Sequence, residues 1–280
     1  MTLEVMLAVL LGALLHASWN ALVRSSSDRT LDMVLVVSGA AVITGCLLPF
    51  APLPASASWP YLIASGLIHV AYFTLVGLSY RHGELSFAYP LMRGSAPVFS
   101  AIAAAALLAE WPGTGGLLGV LLICSGVILL AADSWRNGRL NRHATLFALT
   151  TAGTIVIYTL VDGVGARLSG NAAVYTGWVF LLTAIPLLAL FTAINGRRTT
   201  VYLQKNWKRG LLGGACTLGS YALALWAMTK APIALVAALR ETSVVFGAII
   251  AATLLHEPVS RSRWLAILVV LAGAVAIKIA

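Results

Sequence analysis

Charge is what this chain has least of: 10% of its 280 residues are Asp, Glu, Lys or Arg, against 60% hydrophobic, and the mean hydropathy is +0.94. That is the composition of a membrane protein and excludes a chain made of soluble domains of the same length. Cysteine is scarce too. Cys46, Cys124 and Cys216 fall inside apolar runs without a C-x-x-C neighbour, so they read as small buried apolar residues and exclude a disulfide framework. GTGGLLG has no lysine and no strand context, so it carries no phosphate-binding meaning, and without a Walker motif ATP cannot drive the protein directly. H-E-x-x-H, G-x-S-x-G and paired catalytic aspartates are all absent. His16 and His69 have no metal-ligand companion at helical spacing, so no metal, cofactor or catalytic residue is expected. MTLEV offers no basic n-region and LLHASWNALVR no A-x-A site, so the first apolar run is expected to be retained.

Apolar runs are plentiful. Ten of them, near 3–23, 33–52, 59–80, 86–109, 114–132, 144–166, 173–194, 208–229, 233–255 and 264–279, approach the length that crosses ~30 Å of hydrocarbon as a helix. The expected fold is all-α and integral to the membrane, with ten transmembrane helices and no soluble domain between them.

The net charge of +9 would suggest nucleic acid in a soluble protein, so the position of the charges decides its meaning. The odd-numbered connections hold Arg24, Arg29, Arg81, Arg136, Arg139, Arg142, Arg197, Arg198, Lys205, Lys208, Arg209, Arg261 and Arg263. The even ones and the tail hold Arg167, Lys230 and Lys278. Under the positive-inside rule this bias places the odd loops in the cytoplasm and both termini outside. The basic balance then reports orientation and contact with anionic lipid, and no nucleic acid partner is expected.

Sliding residues 84–130 onto 231–277 aligns Arg93 with Arg240, Val98-Phe99 with Val245-Phe246, Glu110 with Glu257 and Gly126 with Gly273 in one ungapped frame. Two repeats of five spans follow: residues 1–132, a basic inter-repeat loop 133–143, and residues 144–280. Because five is odd, the second repeat enters the membrane from the opposite side, and in inverted repeats of this kind the site lies near the midplane at the repeat interface.

The whole chain resembles the drug/metabolite transporter superfamily, EamA type. In each repeat a fourth span ends in an acidic residue (LLAEWP, LLHEP) and a glycine-containing fifth span follows (GLLGVLLICSGVILL, WLAILVVLAGAVAI). HASWNALVR is similar to the family's Trp-containing first helix. The resemblance implies export of small metabolites. Members are commonly drawn with cytoplasmic termini, the reverse of what the loop charges favour.

Ionisable groups inside a span are costly and mark sites or structural networks. Arg240 and Glu241 are about 100° apart on a helix, so they are expected to meet partners on other helices, not each other. Either they hold an anionic group and a cation or coupling proton, or they tie the two repeats together. Arg93 lies between Pro90 and Pro97, where a kinked helix would wall a site. His16, Trp19 and Asn20 share a face that Arg24 extends, and His16 is a candidate for proton transfer. Thr151, Thr154, Tyr158 and Asp162 form a second polar stripe, with Asp162 a coupling carboxylate or a structural partner of Arg93 or Arg24. Gly163 and Gly165 beside it permit close helix approach. His69, Tyr72, Phe73, Val76 and Tyr80 form an aromatic stripe in span three, and Tyr221 and Trp226 a smaller one in span eight, as packing or as stacking surfaces for a ring or cation. Glu110 and Glu257 read as helix-end contacts, and Gly115 and Gly119 as a helix-packing surface.

These residues point to a secondary transporter of small polar or amphoteric metabolites, such as amino acids, alternating access around a midplane cavity, with proton coupling or downhill exchange as its driving force. The rival readings are uptake of an organic anion, export of organic cations or drugs and, remotely, an intramembrane enzyme. A bacterial inner membrane suits the chain. The partners expected are a small-molecule substrate and membrane lipid, with the chain a monomer or a homodimer.

Overall fold

The computed structural model describes residues 1–82, 85–137, 142–254 and 260–280. Among them there are helices and no strands. The helices are α1 (Leu3–Arg24), α2 (Arg29–Leu47), α3 (Trp59–His82), α4 (Leu85–Leu108), α5 (Gly113–Asn137), α6 (Arg142–Leu168), α7 (Ala172–Asn195), α8 (Arg197–Lys205), α9 (Trp207–Met228), α10 (Ile233–Arg240), α11 (Ser243–Leu254) and α12 (Arg261–Ile279). Two 3₁₀ turns, Leu48–Phe50 and Ser56–Ser58, join α2 to α3.

Seven segments among the described residues are long and apolar enough to cross a membrane: α1, Arg29–Phe50, Ala148–Leu168, α7, α9, Ile233–Ile250 and α12. Helices α3, α4 and α5, at 24, 24 and 25 residues, are of similar length. Large apolar side chains stay exposed along them, as at Leu3, Leu7, Leu11 and Leu14 of α1 and Leu118 and Leu121 of α5. In water such a surface would mark aggregation or an interface; against hydrocarbon it is the ordinary exterior.

Short polar side chains start the helices. Thr2 accepts from the Val5 N–H, Asp28 from Leu31, Asn171 from Ala173 and Val174, and Ser260 from Arg263. These caps satisfy amides that would otherwise face lipid headgroups unpaired.

Helices α1 and α9 pack together, as do α3 and α6, α2 and α7, α2 and α9, α3 and α7, α4 and α10, and α5 and α12. Glycine lets the backbones meet. A Cβ at Gly39 would lie 2.0 Å from the Gly210 carbonyl oxygen, and one at Gly214 2.4 Å from the Ala40 nitrogen, so α2 and α9 cross at contact distance. At the α5–α12 seam a Cβ at Gly119 would reach Ile277 and the Gly273 carbonyl, which bears out Gly119 as a packing surface. Gly163 and Gly165 do likewise, admitting Ile233 and Tyr175.

Three expectations are corrected. The ninth apolar run is two helices, α10 and α11, with Glu241 and Thr242 between them. A short helix, α8, occupies the basic seventh connection. Cys46 is exposed and Cys216 half-buried, so of the three cysteines Cys124 alone is buried: Cys46 lies near the end of α2 on its outer face, where lipid, not protein, covers a small side chain. Glu257, Arg139 and the side chains of Val76 and Tyr80 lie outside the described residues.

Candidate functional site

The break between α10 and α11 is held by short-range bonds. The amides of Glu241, Thr242, Val244 and Val245 donate to the carbonyls of Ala238, Leu239, Glu241 and Thr242, three residues back, at 2.9–3.0 Å, and the Thr242 hydroxyl also donates to Leu239 at 2.6 Å. This is a tightened 3₁₀ turn, which keeps the amides satisfied inside a membrane while altering the direction of the side chains.

The turn sends Arg240 and Glu241 to different partners. Glu241 Oε2 lies 3.0 Å from Arg93 Nε of α4, an ion pair in which both side chains are buried but which is not aligned as a hydrogen bond. Arg93 also donates to the Ser243 hydroxyl at 3.4 Å. Arg240, half-buried, lies over the Tyr221 ring, 5.2 Å from its centroid. No carboxylate among the described residues comes within 4.0 Å of it.

A second cluster surrounds Asp162, which is fully buried on α6. Tyr175 of α7 donates to Oδ1 at 3.0 Å, Tyr221 of α9 donates to Oδ2, and His69 Nδ1 of α3 lies 4.0 Å from Oδ2. The His69 ring sits on Tyr158 at 4.6 Å between centroids, with Tyr221 at 5.7 Å and Tyr72 at 6.4 Å. The partners suggested for Asp162 in the sequence, Arg93 and Arg24, are not its partners: Arg93 is taken by Glu241.

Of the residues picked from the sequence, Arg93, Arg240, Glu241, His69, Tyr72, Tyr158, Asp162 and Tyr221 converge on these two adjoining clusters. His16, Trp19 and Asn20 bond mainly within α1, Trp19 Nε1 donating to His16 Nδ1 at 3.3 Å and Asn20 Nδ2 to the His16 carbonyl at 2.8 Å. His16 still lies within electrostatic reach of Arg93 and Arg240. Sequence reasoning missed Tyr175, thirteen residues beyond Asp162 on another helix, which no spacing rule connects to it.

Polar ties close both ends of the bundle. At the end that carries the termini, Arg167 of α6 pairs with Glu110 after α4 and donates to the Met228 and Ala231 carbonyls, while Glu110 accepts from the Ile233 amide at 3.0 Å. Glu110 is thus a helix-end contact, as its position suggests. At the other end Arg209 pairs with the buried Asp32 at 2.8 Å, Tyr202 of α8 donates to Asp32 at 2.7 Å, and Arg198 pairs with Asp28 at 2.7 Å. Burial, with the hydrogen bond to Asp32 adding to it, pushes the Tyr202 phenol above its usual range. An open cavity of about 710 Å³ at the first end is lined by Glu4, Arg167, Asn171, Trp226 and Lys230, among others.

The family model of the EamA-like transporter family matches residues 143–279. This stretch, 137 of the 280 residues, is similar to that family. A protein of Bacillus subtilis (strain 168), named as an uncharacterized transporter, YwfM, is 22% identical over 231 residues, covering 80% of this chain and 74% of its own. A crystal structure of another protein overlays with a TM-score of 0.77 at 15% identity, covering 100% of this chain and 98% of that one, a likeness of fold alone. The match to the EamA-like transporter family and the multiple apolar helices indicate an integral, multi-pass membrane protein consistent with the drug/metabolite transporter superfamily, and together with the relative named as a transporter they point to a membrane transporter.

Proposed function

We propose that the protein is a secondary transporter of small polar or amphoteric metabolites, built as two inverted five-helix repeats, residues 1–132 and 144–280, with its substrate site between them. The observation that carries the reading is Arg240: a guanidinium at a helix break inside the bundle, resting on an aromatic ring, with its neighbour Glu241 already paired to Arg93. A cation kept there without a carboxylate partner among the described residues is suited to an anionic group supplied by the substrate. The rings of Tyr72, Tyr158 and Tyr221 offer an ammonium group its complement.

The packing supports the inverted repeat. Exchanging α1 with α6, α2 with α7, α3 with α9, α4 with α10 and α11, and α5 with α12 turns the α1–α9 contact into α6–α3 and the α2–α9 contact into α7–α3, while α2–α7, α4–α10 and α5–α12 map onto themselves. At the last seam a Cβ on Gly126 would meet Ala266 and Val270, and one on Gly273 would meet Gly119 and Ile123, the same residues shifted by 147. Helices related by the repeat and packed antiparallel have opposite senses in the membrane. Ties between the halves at both ends are what alternating access would open in turn. Coupling to protons at Asp162, a bacterial inner membrane with the odd loops inside, and export as the family resemblance implies complete the proposal. The pairing of Glu241 with Arg93 favours a second reading, uptake of an organic anion, because it removes the carboxylate that would hold a substrate cation.

The test is thermal stabilisation of the purified protein by amino acids, nucleobases, organic anions and organic cations, with Arg240→Gln and Glu241→Gln beside the wild type. An amphoteric compound or an organic anion is expected to stabilise the wild type and to lose its effect in Arg240→Gln. A shift given only by compounds without an anionic group, or kept in Arg240→Gln, refutes the site. Transport of the stabilising compound by liposomes is expected to depend on pH in the wild type and not in Asp162→Asn.

A further inference from the structure

Among the described residues the centre holds two cations, the buried Arg93 and the half-buried Arg240, and two buried carboxylates, Glu241 and Asp162. Arg93 and Glu241 cancel as a pair. Arg240 and Asp162 are joined through Tyr221, whose hydroxyl donates to Asp162 while its ring face carries the guanidinium. With His16 and His69 neutral, the sum is zero when Asp162 is ionised. A proton on Asp162 alone leaves the centre at +1, and a monoanion at Arg240 alone leaves it at −1. Both together restore zero. Net charge inside a bilayer is strongly penalised, so the empty and the doubly occupied forms are favoured over either single occupant.

We infer that a proton on Asp162 and a substrate carboxylate at Arg240 bind together, and that Tyr221 is the positioning residue that links them. The inference rests on the proposed site and takes the second reading of its substrate, since only a net monoanion balances the proton and a proton bound together with it favours uptake over proton-driven export. It goes further by naming the substrate group and the link. A carboxylate is the anion that a planar guanidinium receives in two parallel hydrogen bonds. When Asp162 takes the proton, the new O–H can donate to the Tyr221 oxygen, so one contact serves both protonation states in opposite directions. The groups around Asp162 include His69 and Ser65 from α3, Tyr175 from α7, Tyr221 from α9 and, one turn away on α6 itself, Tyr158. Arg93 from α4 is held by Glu241, and Arg240 at the end of α10 is the cation that faces Tyr221. By reciprocity, whatever neutralises Arg240 raises the proton affinity of Asp162, and protonation of Asp162 raises carboxylate affinity by the same factor.

The experiment is an infrared titration of the protonated carboxyl band in purified protein, assigned by its loss in Asp162→Asn. Arg240→Gln imitates the occupied site by removing its charge. It is expected to raise the proton affinity of Asp162 about tenfold, within the usual span of coupling between sites, and Arg240→Lys to restore most of the wild-type value. Tyr221→Phe keeps the ring and loses the hydroxyl; in that background the Arg240→Gln effect is expected to shrink. In parallel, thermal stabilisation by acetate, lactate and benzoate is expected for at least one of the three, to strengthen as pH falls through the Asp162 midpoint, and to vanish in Arg240→Gln.

An Asp162 band indifferent to Arg240→Gln in a protein that melts as the wild type overturns the linkage, while the transport reading stands. An unchanged Arg240→Gln effect in Tyr221→Phe overturns the role of Tyr221. Stabilisation by none of the three acids overturns the carboxylate assignment. The absence of any Asp162 band across the stable pH range overturns proton coupling at Asp162 itself, and the linkage falls with it. If Arg240→Gln does not fold, Tyr221→Phe and Arg240→Lys decide, and an Asp162 titration unmoved by Tyr221→Phe refutes the link.

Discussion

Helix α4 and the α10–α11 pair occupy corresponding places in the aligned halves, and they behave oppositely to their prolines. Helix α4 contains Pro90 and Pro97 and continues unbroken from Leu85 to Leu108. The stretch from Ile233 to Leu254 contains no proline and breaks at Glu241 and Thr242. A proline removes one hydrogen bond but fixes a helical φ, and packed neighbours can accommodate it. Two adjacent side chains that must reach different helices impose a stronger demand. Arg240 turns to Tyr221 on α9 and Glu241 to Arg93 on α4, and the chain tightens into a 3₁₀ turn between them. A break in a membrane helix can therefore be written in its charges.

The sharpest way to break this contrast is Glu241→Ala, which leaves Arg93 buried without its carboxylate. A loss of about 3–5 kcal/mol is expected, seen as a large fall in melting temperature or as failure to accumulate in the membrane; Glu241→Leu with Arg93→Met should recover much of it. Next is Gly126→Val on the α5–α12 seam. A Cβ there would come within 2.6 Å of Val270 and 3.0 Å of the Ala266 carbonyl, so a loss of about 1–3 kcal/mol is expected, matched by Gly273→Val if the halves are equivalent. Thr242→Val removes the hydroxyl bond to Leu239 and should cost about 1 kcal/mol in thermal unfolding, with the break retained because its amide bonds remain. The smallest effect is expected for Pro97→Ala, within about 1 kcal/mol, since α4 is already continuous; a loss beyond that would show that the proline itself shapes the site.

Much of the architecture was legible in residues. The apolar runs marked the crossing helices, and their approximate ends follow from hydrocarbon thickness. Charges inside the runs drew attention to Arg93, Asp162, Arg240 and Glu241 because a group so costly to bury must have a reason. Spacing on one face put Tyr158 with Asp162, and His69 with Tyr72. Their ring contacts across α3 and α6 needed the fold. The expectation that Arg240 and Glu241 turn to other helices is borne out, while the choice of partner was not readable. Tyr175 reaches Asp162 because Gly165 leaves room for its ring. Asp32 meets Tyr202 and Arg209 across about 170 residues of chain.

What the sequence determined by itself is what the solvent dictates: an apolar chain with few charges must form helices that satisfy their own backbones in hydrocarbon, and its buried ionisable residues must gather away from lipid. What the tertiary structure decided is which of those charges cancel. Pairing depends on distances of a few ångströms between helices that the chain connects only through long intervening segments. Arg93 fell to Glu241, Asp162 to two tyrosines, and Arg240 was left facing Tyr221, with no carboxylate beside it among the described residues.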